Sequence, residues 1–405
     1  AFPSFQGQNI ILSNTNSGYH FEGFVATATP NGDWQWVKGL ETVVNGSGEY
    51  SSTTGVAFSA NGDVLLTGEF EGETDFGGVS LNVSNAQVYV TSYDFSSGSL
   101  NWVTSGGGVG VNRVFDMAPT TNGGVKIATI SDGFSLWDST SYLAKGTIDA
   151  VVVELDSSGG LVGVNGYGTP NEQTIILDIE IDFNGDTYYA GTFGGTLTGT
   201  GWSATASYGG NDIFIVREAV SSANSWAFVS GSSQADEPQG LAITSNGLVV
   251  YGGYIIAQHT ASSYTLTPSN HDGFVVGLSS SGSAEWVEQI GGSQYDYAWD
   301  LAVNFTDAIG VAGSYSGSMT HAGTPVTSTG GRDAFIWAFD PTALKDTDSD
   351  SIVDVDDNCP TVSNPTQANT DMDDKGDACD SDDDNDGLTD NFPDLCPRGG
   401  EFNWT

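Results

Sequence analysis

Short apolar runs separated by Gly, Ser, Thr, Asn and Asp fill the first 340 positions of this chain. No run shows the apolar period of 3.6 residues that a surface helix requires. Asn-Gly pairs begin at Asn61, Asn122, Asn184 and Asn246, and each stands directly before a strand-like run. Asn-Gly between apolar runs predicts a hairpin with a type I′ turn, because that turn needs two positive φ angles. The pattern therefore predicts short antiparallel strands.

Three markers recur along these strands with a period of about 62 residues. The first is the Asn-Gly turn, whose place in the last unit is taken by Thr306-Asp307. The second is an aspartate before an apolar strand, and the third is a tryptophan after a Ser/Gly turn, with Val162 or Val164 in that place in one unit. The aspartates are Asp149, Asp212, Asp272 and Asp333, and the tryptophans are Trp36, Trp102, Trp226 and Trp286. Four strands per unit, repeated radially, predict an all-β fold, a β-propeller of four-stranded blades.

The number of blades depends on how the N-terminus is read. The chain shows five clear inner strands, at Gly55–Phe58, Phe115–Ala118, Leu177–Glu180, Gly240–Ile243 and Trp299–Val303. Asn9–Ser13, Phe24–Thr27 and Trp34–Val37 look like the last three strands of a preceding unit, with Ala1-Phe2 as the stump of its inner strand. We expect five blades, because each blade needs an innermost strand; the alternative is six.

The units resemble bacterial and archaeal (SBBP-like) β-propeller repeats of the type D-x-F-V-x-x-x-D-x-x-G-x-x-x-W. This resemblance covers about residues 9–340. It implies a propeller domain at 1–341, followed by a second domain at 342–405.

The second domain is defined by charge. Of the 51 acidic residues, 18 lie in 346–405, where only Lys375 and Arg398 oppose them. The net charge of −42 disfavours binding to nucleic acid or to an anionic membrane surface, because no basic patch exists. No apolar run in the sequence is long enough to span a bilayer. Strong acidity suits a saline or marine setting, where salt screens self-repulsion.

Carboxylates spaced two apart organise this acidic segment. Such spacing supplies several oxygen ligands to one hard cation, and Ca²⁺ takes about 6–8 of them. A segment this acidic cannot collapse without the ion, so we expect several structural Ca²⁺ ions. The predicted ligands are Asp346, Asp348, Asp350, Asp354, Asp357, Asp371, Asp373, Asp377, Asp380, Asp382, Asp384, Asp386 and Asp390.

The segment resembles thrombospondin type 3 repeats. Asp357-Asn-Cys-Pro360, then Asn364, Pro365 and Gln367, then Lys375–Asp380 match that pattern. Ser351 and Asp374 depart from it, because Gly is expected there, and Asn369 stands where Asp is expected. The resemblance covers about 346–397 and implies extracellular calcium binding.

All three cysteines lie in this segment. The resemblance implies a disulfide between Cys359 and Cys379. Cys396 is then a free thiol, an intermolecular bridge or a residue whose partner is missing, and we favour the last. The chain starts without Met and stops where another repeat would continue, so we expect a fragment of a longer protein.

Several propeller residues have alternative interpretations. Asp116, Asp178 and Asp300 share one place on three inner strands, where we expect bonds to backbone between blades rather than a channel ligand. The repeated aspartates that precede strands are expected to cap turns. Trp137 and Trp202 stand outside the tryptophan register, in variable loops, which is where an aromatic that stacks on sugar would lie. Gly106–Gly110 is expected to be a loop.

These features favour a secreted or cell-surface binding or adhesion protein. Its propeller binds a protein or carbohydrate ligand, and its acidic repeats form a calcium-stiffened stalk. The first alternative is an extracellular polysaccharide hydrolase or lyase with the propeller as catalytic domain, although no catalytic residue is singled out. The second alternative is a spacer without a ligand.

Overall fold

A computed structural model describes residues 22–43, 49–206, 208–321, 324–348, 350, 352–385 and 389. Within these residues the regular structure is β-strand apart from two short 3-10 helices, Ser222–Asn224 and Pro341–Leu344. The all-β fold is confirmed. Ala1-Phe2 and Asn9–Ser13, on which the choice between five and six blades depends, lie outside the described residues.

Five units follow one another, each an antiparallel sheet in the order inner, second and third strand, to which units 1–4 add an outer strand within the described residues. The inner strands are Gly55–Phe58, Asn112–Pro119, Thr174–Ile181, Glu237–Ile243 and Tyr297–Val303. The second strands are Val64–Asp75, Val125–Ser131, Thr187–Phe193, Val249–Ile255 and Ile309–Tyr315. The third strands are Ser80–Tyr93, Asp149–Leu155, Asp212–Glu218, Asp272–Leu278 and Asp333–Phe339. The outer strands of units 1–4 are Leu100–Val109, Leu161–Tyr167, Trp226–Gly231 and Ala284–Gly292.

The inner strands lie side by side in chain order, as in the predicted propeller. Before unit 1 stand strands Phe24–Ala28, Trp34–Gly39, Glu41–Val43 and Tyr50–Ser51. The first two form a hairpin that packs through Val25 and Trp36 on the core of unit 1. These strands therefore sit where the outer part of a preceding unit would sit.

An extra hairpin between the second and third strands was not predicted. These hairpins are Phe134–Trp137 with Thr140–Leu143, Thr196–Gly199 with Trp202–Thr205, His259–Ala261 with Tyr264–Leu266, and Ser318–His321 with Thr324–Thr327. Those of units 2, 4 and 5 pair with the outer strand of the preceding unit. In unit 1 the second and third strands themselves lengthen into such a hairpin, which pairs with Glu41–Val43. The hairpins of units 1, 2, 4 and 5 thus tie their own unit to the strand that precedes it, whereas that of unit 3 forms a separate two-stranded sheet.

These hairpins overturn two expectations. Trp137 is 2% exposed and Trp202 is 7% exposed, so neither is a loop aromatic that is free to stack on sugar. Trp137 lies over Gly106, where a Cβ atom would come within 2.2 Å of its ring. Residues 106–109 pair with the hairpin Phe134–Trp137 and therefore belong to the outer strand. The prediction of a loop is wrong for these four residues.

The Asn-Gly turns differ in type from the prediction. The glycines have positive φ angles of +85° to +89°, as at Gly62 and Gly123, but their preceding asparagines do not. Gly62 N–H donates to Ser59 O, and Ser59 N–H donates to Asp63 O. This is a three-residue loop with a left-handed glycine at its end, so the type I′ prediction is wrong although the hairpins are present.

Three of the four repeated tryptophans join neighbouring units, and the fourth, Trp286, is 3% exposed and belongs to the core of units 4 and 5. The indole Nε1–H of Trp36 donates to Phe95 O at 2.7 Å, that of Trp102 to Ser157 O at 3.0 Å, and that of Trp226 to Ser280 O at 2.9 Å. Each carbonyl belongs to the turn before the outer strand of the next unit. Each ring also covers a positive-φ glycine of that turn, such as Gly159 at φ +80°. These tryptophans therefore act between units, as half-buried contacts.

Two of the three inner-strand aspartates accept a hydrogen bond from a backbone N–H of the next unit, as predicted. Asp116 Oδ2 accepts from Ile179 N–H at 3.1 Å, and Asp178 Oδ2 accepts from Leu241 N–H at 2.7 Å. Asp300 Oδ1 accepts from Leu301 N–H of its own strand instead. A β-bulge before each aspartate, at Phe115, Leu177 and Trp299, shifts the register at this point.

The aspartates before the third strands cap turns, as predicted. Asp149 accepts from the N–H groups of Lys145 and Gly146, and Asp333 accepts from Thr329 N–H at 2.8 Å. Asp212 and Asp272 accept from Tyr208 and Ser269 in the same way.

Candidate metal centres in the acidic segment

Two groups of carboxylates converge in the segment that follows the propeller. In the first, oxygen atoms of Asp346, Asp348 and Asp350 all lie within 4.8 Å of one another. In the second, those of Asp371, Asp373 and Asp380 do so. Like charges this close repel each other in water, and more strongly where they are partly buried. Each group is therefore suited to a cation.

The two groups are copies separated by 23 positions. Adding 23 to 346, 348, 350 and 357 gives 369, 371, 373 and 380. The shared set is Asp346, Asp348, Asp350 and Asp357 in the first loop, and Asn369, Asp371, Asp373 and Asp380 in the second. The correspondence adds Asp357 to the first group and Asn369 to the second.

Buried oxygens without a hydrogen-bond donor mark both sets. Among the described residues, no donor reaches either carboxylate oxygen of Asp348, Oδ2 of Asp357 or Oδ1 of Asn369. A buried polar atom without a partner costs about 1–3 kcal/mol, so native proteins rarely keep several in one place. A cation removes this cost, because these atoms become its ligands. The residues present therefore fit a metal ion, and their all-oxygen composition favours a hard one.

A threonine clip closes the start of each loop. Thr347 donates from N–H to Asp354 Oδ1 at 2.7 Å and from its hydroxyl to Asp354 Oδ2 at 2.6 Å. Thr370 and Asp377 repeat the contact at 2.7 and 3.0 Å. Asp354 and Asp377, which were predicted as ligands, thus hold the loops in shape here and lie outside the two converging groups.

The Asn-Pro-x-Gln motif connects the first loop to its neighbours. Asn364 N–H donates to Asp350 Oδ2 at 2.5 Å, and the Gln367 amide donates to Asp357 Oδ1 at 2.7 Å. Gln367 Oε1 accepts from Asn358 N–H at 2.9 Å. The motif therefore fixes one oxygen of Asp350 and one of Asp357, and the other oxygen of Asp357 is buried without a donor among the described residues.

A disulfide joins the two copies. Cys359 and Cys379 are bonded, with their Cα atoms 5.6 Å apart, and Cys359 is buried. Gly376 N–H donates to Asn358 O at 3.0 Å beside it. A closed loop of this length stabilises by about 3 kcal/mol, mainly by restricting the unfolded chain. The segment thus has a covalent brace where it lacks an apolar core.

Electrostatics in the first loop follow from the crowding. Burial, followed by the negative charges of Asp350, Asp357 and Asp346, raises the pKa of Asp348. A divalent cation reverses this effect, because it stabilises the ionised carboxylates. Protons and a bound cation would therefore compete for this loop.

The remaining predicted ligands are Asp382, Asp384, Asp386 and Asp390. Asp382 N–H donates to Asp380 Oδ1 at 3.1 Å. Asp382 and Asp384 join neither group. Asn385, which was not predicted, contacts Asp371 through its amide. Asp386, Asp390 and Cys396 lie outside the described residues.

Sequence reasoning overlooked Thr347 and Thr370, treated Asn369 only as a departure from the repeat, and overlooked Asn385. The 23-residue step would have identified the first three, because each occupies a position that matches a residue in the other copy. Asn385 carries no such signal.

Comparisons with solved structures return weak likenesses. A europium-containing methanol dehydrogenase has a TM-score of 0.34 and 11% identity, over 77% of this chain and 64% of that chain. A tryptophan-to-alanine mutant of Synechocystis apocarotenoid oxygenase has a TM-score of 0.29 and 10% identity, over 72% and 60%. This chain thus spans about three fifths of the length of these proteins, and similarity at this level carries no argument about function.

A search of curated proteins found no match. No helix among the described residues has the length and apolarity needed to cross a membrane. The model of the thrombospondin type 3 repeat family matches residues 345–367 and 368–403, which places the acidic segment, with both converging groups and the disulfide, among repeats of that type.

Proposed function

We propose that this chain belongs to an extracellular calcium-binding protein, in which a propeller at 1–341 binds a partner and acidic repeats at 342–405 form a calcium-stiffened stalk. The observation that carries the calcium part is the convergence of three carboxylates in each of two loops, both of which also contain buried oxygens without a donor. Because the set recurs at a step of 23 positions, it describes a site rather than a solvated acidic surface.

Calcium fits these loops better than other divalent ions. Each offers four side-chain oxygens from an irregular backbone, and Ca²⁺ accepts such flexible geometry with six to eight ligands. Mg²⁺ demands a tighter octahedron and keeps its waters. Zn²⁺ prefers thiolate and imidazole, and neither group joins these sets.

The stalk would begin rigidly, because its first residues pack on the propeller. Leu344 packs against the core of units 4 and 5, and Lys345 O accepts from Asp354 N–H at 2.7 Å. Asp346 lies close enough to Tyr264 for its charge to raise the pKa of that phenol, after the effect of burial. An ion in the first loop would therefore fix the direction in which the segment leaves the propeller.

An extracellular setting is supported by the disulfide and by the repeat type. Millimolar calcium outside cells would keep weak sites filled, since extracellular modules have dissociation constants of about 10⁻⁴–10⁻³ M. A saline environment would also screen the charge of −42.

Calorimetric titration of the full chain with CaCl₂ tests the proposal, with MgCl₂ as the comparison ion. We expect saturable calcium binding, weaker magnesium binding, and a smaller radius of gyration in calcium than in EGTA. Asp348→Asn and Asp371→Asn should each remove one binding event.

Asp33→Asn provides the matched control, because it removes the same charge from an exposed propeller turn. It should leave the titration unchanged. If calcium produces no saturable binding and EGTA leaves the scattering profile unaltered, the calcium part of the proposal is wrong.

A further inference from the structure

Five aromatic side chains cluster where units 4 and 5 meet, away from the acidic segment. This aromatic shelf consists of Tyr254, His271, Tyr295, Tyr297 and Trp299. The rings of Tyr297 and Trp299 are stacked, with centroids 4.8 Å apart and 12° between planes. Tyr254 meets Tyr297 edge-on at 5.0 Å, and His271 lies 4.8 Å from Tyr295. The rings thus form one continuous surface.

The shelf is open to solvent. Tyr295 is 42% exposed and Trp299 is 41% exposed. The Trp299 indole N–H is held by Ser314 Oγ at 2.9 Å, which fixes the orientation of its ring. The large ring of Trp299 is thus held in place yet uncovered, as in a surface prepared for a ligand.

The repeat provides an internal control for this cluster. Trp299 is the bulged residue of its inner strand, and Tyr297 precedes it by two positions. At the junction of units 3 and 4 the equivalent positions hold Thr192, Asn211, Ala235, Glu237 and Gln239. At the junction of units 2 and 3 they hold Ile130, Ile148, Gln173, Ile175 and Leu177. The fold therefore does not require aromatic residues here, and one junction has acquired them.

Hydrogen-bonding groups surround the shelf. The Glu237 carboxylate accepts from Tyr254 OH at 3.1 Å and from the Gln239 amide at 3.2 Å. The Arg332 guanidinium lies 4.7 Å from the centre of the Tyr297 ring. Arg332 makes no salt bridge within the part of the chain that the structure describes. Flat apolar faces with an acceptor and donors at the margin match a pyranose ring, which has one apolar C–H face and a rim of hydroxyls.

The overall charge decides between kinds of sugar. A net charge of −42 repels uronate or sulfate polymers, and one arginine does not offset it. Neutral hydroxyls meet no such barrier, and a carboxylate such as Glu237 is a strong acceptor for them. The cation–π position over Tyr297 is already taken by Arg332, which disfavours a cationic ligand.

We propose that the aromatic shelf binds a neutral polysaccharide through stacking of its sugar rings on Trp299 and Tyr295. This inference rests on the proposed role of the propeller as a binding platform and names the ligand class.

Calorimetric titration of the full chain in calcium with cellohexaose, mannohexaose, laminarihexaose and chitohexaose tests this site, with hexaguluronate as the anionic comparison. We expect at least one neutral hexasaccharide to bind, with a dissociation constant on the order of 0.1–1 mM, and hexaguluronate to bind more weakly. Trp299→Ala and Tyr295→Ala should each weaken binding at least about tenfold, the loss expected for one stacked ring.

Phe305→Ala is the matched control. Phe305 is 99% exposed and follows the other end of the same inner strand, so its loss should leave sugar binding unchanged. If Trp299→Ala does not fold, Tyr295→Ala and quenching of tryptophan fluorescence in the unmodified chain give the same answer.

The inference is overturned if none of the four neutral sugars binds, if hexaguluronate binds best, or if the shelf variants bind as well as the unmodified chain. The response to EGTA reports separately on the calcium loops, so failure of the shelf and failure of the calcium proposal are distinguishable.

Discussion

The propeller and the acidic segment are both built from repeats, but different forces hold the repeats together. Units of about 62 residues bury valine, isoleucine and aromatic side chains in clusters shared between neighbours. The copies spaced 23 positions apart bury aspartate and asparagine oxygens instead, braced by a disulfide and threonine clips. The propeller gains stability from the burial of apolar surface, which is favourable in any aqueous solution. The other region has a disulfide and crowded carboxylates that a cation would hold together, so we expect its order to depend on what surrounds it.

Removal of calcium should separate the two regions most strongly. We expect EGTA to abolish amide protection in 346–380 and to leave the third strands, such as Asp149–Leu155, protected. A ligand at a thousand times its dissociation constant stabilises the folded state by about 4 kcal/mol. When EGTA removes calcium, the acidic segment loses all of this stabilisation. Hydrogen exchange read by mass spectrometry measures this. Equal loss of protection in both regions would contradict the comparison.

Opening the disulfide should have the next largest effect. Cys359→Ser combined with Cys379→Ser should destabilise the acidic segment by about 3 kcal/mol and weaken calcium binding, because the two loops are no longer tied. The melting temperature of the propeller should not change. A propeller that melts earlier in this variant would show that the regions fold as one.

Trp102→Phe should act on the propeller alone. It keeps most of the ring but removes the N–H bond to Ser157 O in the next unit, which costs about 1 kcal/mol. Thermal unfolding should begin at a lower temperature while the calcium titration stays the same. If the variant changes the calcium titration but not the melting temperature, Trp102 does not act on the propeller alone and this explanation is wrong.

Asn369→Asp should make the two loops more alike. The second loop would gain the fourth carboxylate that Asp346 provides in the first, and ligand charge tunes calcium affinity. We expect affinity of the second site to rise on the order of tenfold, as measured by calorimetry. Asn82→Asp adds the same charge to the propeller and serves as control. An unchanged isotherm in Asn369→Asp would exclude this side chain from the ligand set.

The smallest effect concerns pH and the propeller. Burial among the inner strands, then the charges of Asp116 and Asp300, raises the pKa of Glu180 to about 7. The folded chain therefore holds a proton that the unfolded chain has lost, so between about pH 4.5 and 7 the free energy of unfolding falls as pH rises.

Glu180→Gln should accordingly raise the melting temperature slightly above pH 7 and leave it unchanged below pH 4.5. The gain should be small, because the Glu180 side chain also contacts solvent, which screens the repulsion. A variant less stable than the parent at pH 8 would contradict this explanation.

Sequence periodicity predicted the all-β fold because turn chemistry repeats more faithfully than packing. Asn-Gly turns and the aspartate caps depend on backbone geometry that few residues provide, so they stand out at fixed intervals. The extra hairpins did not stand out, because short runs such as Phe134–Trp137 look like loops until the preceding outer strand is beside them. Trp137 and Trp202 were misassigned for that reason.

In the acidic segment, composition indicated a cation-binding region, but it could not separate the carboxylates that converge from those that bond the loop backbone. Asp354 and Asp348 look alike in sequence, yet Thr347 occupies both oxygens of the first and nothing described reaches those of the second. The aromatic shelf escaped prediction because its members come from two units. The shelf forms only when neighbouring units pack together, and a pattern within one stretch of sequence does not predict that packing.

The hairpins that reach back to the preceding unit restrict where the chain can be shortened. A polypeptide ending at residue 292 would contain four complete units, but the outer strand Ala284–Gly292 would lose the partner that Ser318–His321 supplies. Its free N–H and C=O groups would then recruit another molecule edge to edge. Truncation at that point should yield aggregates rather than a smaller propeller.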